Sequence, residues 1–125
     1  MADNKMINLS AASLAYIGDA VFELHVRKML LAQGGRSLNK LNAQARKYVA
    51  ASAQAKMYQH ISPYLSDEEQ AVMKRGRNLH SSSRAKSAGV SEYRHATGVE
   101  TLFGYLYVYD RHERLEEVFK LCTEI

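Results

Sequence analysis

Two acidic residues stand in segments that are otherwise apolar. Asp19 lies within Leu14-Ala15-Tyr16-Ile17-Gly18-Asp19-Ala20-Val21-Phe22-Glu23-Leu24. Glu100 is the only charged residue from Ala96 to Tyr109, set among Val99, Leu102, Phe103, Tyr105, Leu106, Tyr107 and Val108. An ionised carboxylate in such surroundings is costly unless it is paired, hydrogen-bonded or bound to a metal. If the two segments pack against each other near these residues, like charges meet and call for a cation. Oxygen donors without a Cys/His constellation point to magnesium or manganese rather than to zinc. On pattern alone two structural alternatives stay open. Glu100 follows Thr97 by three residues, as in a capping box, and Asp19 could pair with a buried Arg or Lys. Glu23 reads as the surface partner of Arg27, one helical turn on.

A second chemistry is carried by charge. The chain has 17 basic and 13 acidic residues, a net +4. From Lys74 to His95, Lys74, Arg75, Arg77, Arg84, Lys86 and Arg94 are opposed by Glu92 alone, so this segment is +5 and the remainder −1. With Gly76, Gly89 and the Ser81-Ser82-Ser83 run, it suits contact with a polyanion through guanidinium, ammonium and hydroxyl groups. The alternative is a solvated loop with a chance cluster of charge. Nucleic acid is favoured over membrane, because the segment has no bulky apolar face.

The elements that must position these groups read as all-α. Ser10 caps a helix running to about Ala32 and stopped at Gly34-Gly35. Ser37 caps a long second helix to about Ile61, ended by Pro63. Ser66-Asp67-Glu68-Glu69 is a capping box opening a third helix to about Arg77. A fourth covers about Gly98 to Tyr109, or begins earlier at Ser91. Asp110-Arg111-His112-Glu113 is read as a further capping box, followed by a helix that buries Leu115, Val118, Phe119 and Cys122. In the first helix Leu14, Ile17, Val21 and Leu24 form one apolar stripe and Ala15, Gly18, Phe22 and Val26 a second, which predicts a central helix. Gly18, costing about 1 kcal/mol against Ala in a helix, suggests close approach by another helix or chain.

The 125 residues, 46% apolar and 24% charged, make one domain spanning 1–125 with its core at about 10–123. The single cysteine, Cys122, excludes a disulfide framework and suits a reducing compartment. No apolar stretch approaches the roughly 20 residues of a membrane span, and the N-terminus lacks the pattern of an export signal. A cytoplasmic protein is expected. Nucleophile elbow, zincin, P-loop and dinucleotide fingerprints are absent. No small-molecule substrate is expected.

Tyr16-Ile17-Gly18-Asp19-Ala20-Val21 resembles the signature of the ribonuclease III catalytic domain. Arg75-Gly76-Arg77-Asn78 and Tyr93-Arg94-His95-Ala96-Thr97-Gly98-Val99-Glu100 through Tyr107 resemble its Mini-III branch, bacterial ribonucleases that lack a double-stranded-RNA-binding domain. The resemblance runs from about Leu14 to Leu121. It implies an all-α ribonuclease III-type endonuclease domain, a helical bundle forming a two-fold homodimer. It further implies Mg²⁺-dependent hydrolysis of double-stranded RNA, with precursor 23S ribosomal RNA as substrate. Asp19 and Glu100 match the catalytic, metal-holding acids, and Tyr16 matches an aromatic that inserts into the partner subunit. Tyr16, Gly18 and Phe22 make the expected dimer interface. Lys74, Arg75, Arg77, Asn78, Arg84, Lys86 and Arg94 make the expected RNA contacts. Many ribonuclease III domains carry two further acids where this chain has Ala15 and Thr97, a thinning the Mini-III branch shares. The rival of another class is a non-catalytic RNA-binding or ribosome-associated module of the same fold.

Overall fold

The computed structural model describes residues 9–34, 37–79 and 88–124, and all regular structure among them is helical. Six α-helices follow one another: α1 (Ala11–Ala32), α2 (Leu38–Val49), α3 (Ala51–Ile61), α4 (Asp67–Arg77), α5 (Ala88–Val108) and α6 (His112–Thr123). A single 3₁₀ turn at Ser62–Tyr64, with Pro63 inside it, joins α3 to α4. Helix α5 is the axis of the bundle, flanked by α1, α3, α4 and α6. Its Val99, Leu102, Phe103 and Leu106 are wholly buried, and Phe22, Phe103 and Phe119 meet edge to face in the core. None of the described helices is long and apolar enough to cross a membrane.

Three helix starts follow their caps. The Ser10 and Ser37 hydroxyls accept the Ser13 and Lys40 amides, and Ser66 with Glu69 forms the full capping box. Other boundaries depart from the sequence reading. The long helix expected from Ser37 to Ile61 is broken at Ala50, whose backbone is extended at φ −62°, ψ 146°. Ala50 ends α2 by donating to the Arg46 carbonyl and opens α3 by accepting from Gln54. No residue there disfavours helix. The break redirects the chain from α1, against which α2 packs, to α5 and α6, against which α3 packs, so tertiary packing overrides propensity.

Asp110 does not cap α6. It adopts φ 57° at the end of α5, where Asp110 N–H donates to the Tyr107 carbonyl and Arg111 N–H to the Leu106 carbonyl. That is a Schellman termination, and it leaves Arg111 at the α6 N-cap without a side-chain hydrogen bond. Helix α5 also starts earlier than either expected boundary, at Ala88. Its first turns, Ser91 to Tyr93, are exposed and therefore carry no apolar periodicity.

Candidate active site

Glycines set the site. At the crossing of α1 and α5, a β-carbon on Gly18 would collide with the Glu100 carbonyl, and one on Gly104 with the Leu14 carbonyl. Backbone meets backbone, and the residues beside these glycines are brought to contact distance. Asp19, exposed on α1, and Glu100, half-buried on α5, are thereby within hydrogen-bond reach of each other. The close approach inferred from Gly18 is thus made by α5 of the same chain.

Burial drives the Glu100 carboxyl up to about 8, and the adjoining Asp19, through its hydrogen bond and its charge, adds to the rise. With no cation bound, Glu100 therefore keeps its proton at neutral pH. None of the described ion pairs joins Asp19 or Glu100 to a basic side chain. The buried-pair alternative for Asp19 therefore finds no partner among the described residues. The capping alternative for Glu100 is also overturned, because Thr97 lies deep inside α5 and its hydroxyl donates to the Tyr93 carbonyl at 2.9 Å. An oxygen-only pair lacking a counter-ion fits a hard divalent cation. The set is small: no group of three or more His, Cys, Asp or Glu suited to a metal occurs among the described residues. Ala15 is buried against the core, and the Thr97 hydroxyl is committed to backbone.

Other expected residues divide sharply. Tyr16 is 86% exposed and, with Asp19, Glu23 and Arg27, lines an open depression on the outer face of α1. Glu23 and Arg27 form the expected pair at 3.5 Å. Gly18 and Phe22 need correcting as interface residues. Gly18 is filled by the helix crossing, and Phe22, 1% exposed, sits between Phe103 and Phe119, so neither offers a surface to a second chain. Leu24, expected on a buried stripe, is exposed. The buried face of α1 is instead Leu14, Ala15, Gly18, Val21, Phe22 and Val26, and Cys122 is in the core as expected.

The basic segment is more helical than its composition suggests. Lys74, Arg75 and Arg77 end α4, Asn78 follows, and Arg94 is on α5. Arg84 and Lys86 lie outside the described residues. Arg77 and Arg94 meet across a cavity whose walls also include Asn78, Ser91 and His95. Sequence reasoning missed Tyr58, Ser91 and His95 here. Tyr58 is buried in α3, hydrogen-bonded to Arg77, and its ring meets His95 edge-on at 4.7 Å. Nothing in its local sequence marks that long-range role.

Residues 12–111 match the ribonuclease III domain family, and the all-α bundle has the fold of that domain. A Mini-ribonuclease 3 from Thermoanaerobacter sp. (strain X514) is 41% identical over 120 residues, 96% of this chain and 84% of that protein. Those of Clostridium tetani and Enterococcus faecalis are 46% identical over 113 residues and 43% over 126, covering 90% and 99% of this chain and 75% and 94% of theirs. The crystal structure of protein FN1578 from Fusobacterium nucleatum superposes with a TM-score of 0.82 at 29% identity, over 98% of each chain. The chain belongs to the Mini-ribonuclease 3 family, and it is an endoribonuclease of the ribonuclease III type, a hydrolase.

Proposed function

We propose that the chain cleaves double-stranded RNA in a divalent-cation-dependent reaction, that precursor 23S ribosomal RNA is its substrate, and that it acts as a homodimer in the cytoplasm. The observation that carries the mechanism is the Asp19–Glu100 pair, two carboxylates in contact with no basic partner described. Asp19 and Glu100 would hold Mg²⁺, which when bound lowers the pKa of a water and offsets charge on the phosphoryl oxygens. The protein's own contributions are geometric and electrostatic. The Gly18–Gly104 crossing fixes the separation of the two acids. The cationic end of α4 and the start of α5, with Lys74, Arg75, Arg77 and Arg94, bind the phosphates flanking the scissile bond. A duplex of A-form is read mainly by shape, through phosphates and 2′-hydroxyls. Two copies about a two-fold axis would present one acid pair to each strand.

The test is cleavage of a labelled RNA duplex with Mg²⁺, with EDTA and with Glu100→Gln. Cutting that requires Mg²⁺ and vanishes in the variant is expected. Salt-sensitive duplex binding with no cutting, in Mg²⁺ or Mn²⁺, would instead establish the non-catalytic module and make both acids structural.

A further inference from the structure

The cavity between the end of α4 and the first turns of α5 measures about 360 Å³ and is lined by Arg77, Asn78, Val90, Ser91, Arg94 and His95. Neither Asp19 nor Glu100 reaches it. Among the described residues of its wall, Arg77, Asn78, Ser91 and Arg94 can donate hydrogen bonds, and none is a carboxylate. Arg77 is held in place: its Nε donates to Asn78 Oδ1 at 3.3 Å, and it is hydrogen-bonded to the Tyr58 hydroxyl. With Oδ1 so engaged, the Asn78 amide keeps its N–H₂ group for another acceptor. His95 is oriented too, its Nδ1 donating to the Ser91 carbonyl at 2.8 Å and its ring set edge-on to Tyr58. The Nε of Arg94 is buried and has no hydrogen-bond partner among the described residues. A buried guanidinium N–H left unmade is unfavourable, and a small turn of the Arg94 side chain toward an oxyanion in the notch would satisfy it. Two forked cations without a counter-carboxylate match the geometry of a phosphate.

We propose that this notch seats one backbone phosphate of the RNA duplex and so fixes where the duplex lies relative to Asp19 and Glu100, with Arg94 and Arg77 as positioning residues. The inference rests on the double-stranded-RNA reading above. Arg94 precedes Glu100 by six residues on one helix, about 9 Å along its axis, so the seated phosphate is not the reacting one. Arg77, Asn78 and Arg94 thereby act on a single phosphate, which a diffuse basic surface would not require.

Binding is measured in EDTA, where no cleavage occurs, using duplexes that each carry one neutral methylphosphonate linkage at successive positions. The wild-type protein should lose about tenfold in affinity at one linkage per half-site and much less elsewhere. Arg94→Gln should bind the unmodified duplex about tenfold more weakly, with a log–log salt slope shallower by about one, and should be indifferent to neutralisation at that linkage alone. With Mg²⁺ the same variant should raise KM more than it lowers kcat and should scatter the cut positions. If Arg94→Gln is misfolded by circular dichroism, Asn78→Ala, at an exposed position, carries the same comparison. A loss spread evenly over all linkages would overturn the proposal. So would stabilisation of wild type, but not Arg94→Gln, by inorganic phosphate without any linkage-specific coupling, which would assign the notch to free phosphate. A failure of the nuclease reading looks different: the coupling would be present and no cutting would follow when Mg²⁺ is added.

Discussion

At the scale of single residues, Glu100 holds the most informative free energy. Its carboxyl titrates at about 8 in the folded protein against an ordinary value of 4.5, first because it is buried and then because Asp19 faces it. Between those values the folded, metal-free chain binds a proton that the unfolded chain has released. Its stability therefore falls as pH rises from about 4.5 to 8, and the penalty is complete above that. Solvent screening of the partly exposed pair reduces the effect to about 2 kcal/mol. Glu100→Gln has no proton to lose. In EDTA it should match wild type near pH 5 and melt at a higher temperature near pH 8.5; curves that stay parallel across that range would assign the titration elsewhere. Mg²⁺ should stabilise wild type more at pH 8 than at pH 6, because the cation competes with the proton on Glu100. Both acids were legible in the sequence, Glu100 as the lone charge of an apolar run and Asp19 as an acid flanked by apolar residues, although Asp19 itself is exposed. The raised Glu100 carboxyl was not, because it depends on burial and on a separation from Asp19 that another helix sets.

Elements explain why the acids meet and why some boundaries were hidden. The crossing of α1 on α5 tolerates no β-carbon at Gly104, whose neighbour is the Leu14 backbone. Gly104→Ala should push the helices apart, destabilise the fold by about 3 kcal/mol and weaken Mg²⁺ binding, read by thermal melts with and without the ion. A variant that melts lower yet keeps the full Mg²⁺ shift would show that the crossing does not set the site. On the opposite flank α4 is tied to α6. Arg114 donates through Nε and Nη2 to both oxygens of Glu69 at 2.9 and 2.8 Å, and through Nη2 to the Tyr64 carbonyl at 3.0 Å. Glu69 is 4% exposed and also accepts the Ser66 amide, so its carboxyl is held below the ordinary range by Arg114 above all. Arg114→Lys keeps the charge but loses the fork, and should cost about 2 kcal/mol in a denaturant melt at neutral pH. A loss below about 0.5 kcal/mol would reduce the contact to an ordinary surface pair. The Ser66–Glu69 half of this network was readable as a capping box. Arg114 was not, since it comes from 45 residues away. Likewise Ala50 breaks a helix that its neighbours favour, and Asp110 serves the helix before it instead of the one after. At Ala50 packing at long range decided between local options of similar free energy, and at Asp110 a local Schellman termination won over the capping box.

Over the whole molecule, charge and apolar surface are both segregated. The excess of positive charge in Lys74–His95 was evident, but a second stretch escaped the sequence reading: from Leu24 to Ser66 there is no acid at all, while Arg27, Lys28, Arg36, Lys40, Arg46, Lys47 and Lys56 are basic. The acids are concentrated instead in the first turn of α4 and in Asp110 to Glu124, where several are tied in the ion pairs Glu68–Arg111, Glu69–Arg114 and Glu116–His25. Apolar surface is uneven in the same way. Helix α1, which composition marks as buried all round, leaves one side open: Tyr16, Leu24 and Leu31 are 86%, 56% and 63% exposed, and Ile17 and Ala20 line the same outer depression. Positions 16, 20, 24, 27 and 31 follow helical spacing, so these side chains form one continuous face with Arg27 among them. A monomer has no use for such a stripe in water, whereas a two-fold dimer would bury it beside Asp19 and bring the two acid pairs into one assembly. Tyr16→Glu places a charge at the most exposed aromatic of that face, beside Asp19, without touching the core. Sedimentation velocity at micromolar concentration should show a dimer for wild type and a monomer for the variant, with helical content unchanged. RNA affinity should then fall and its salt dependence become shallower, because each monomer neutralises fewer phosphates. A wild-type protein that sediments as a monomer would refute the dimer, and the exposed stripe would then need another partner.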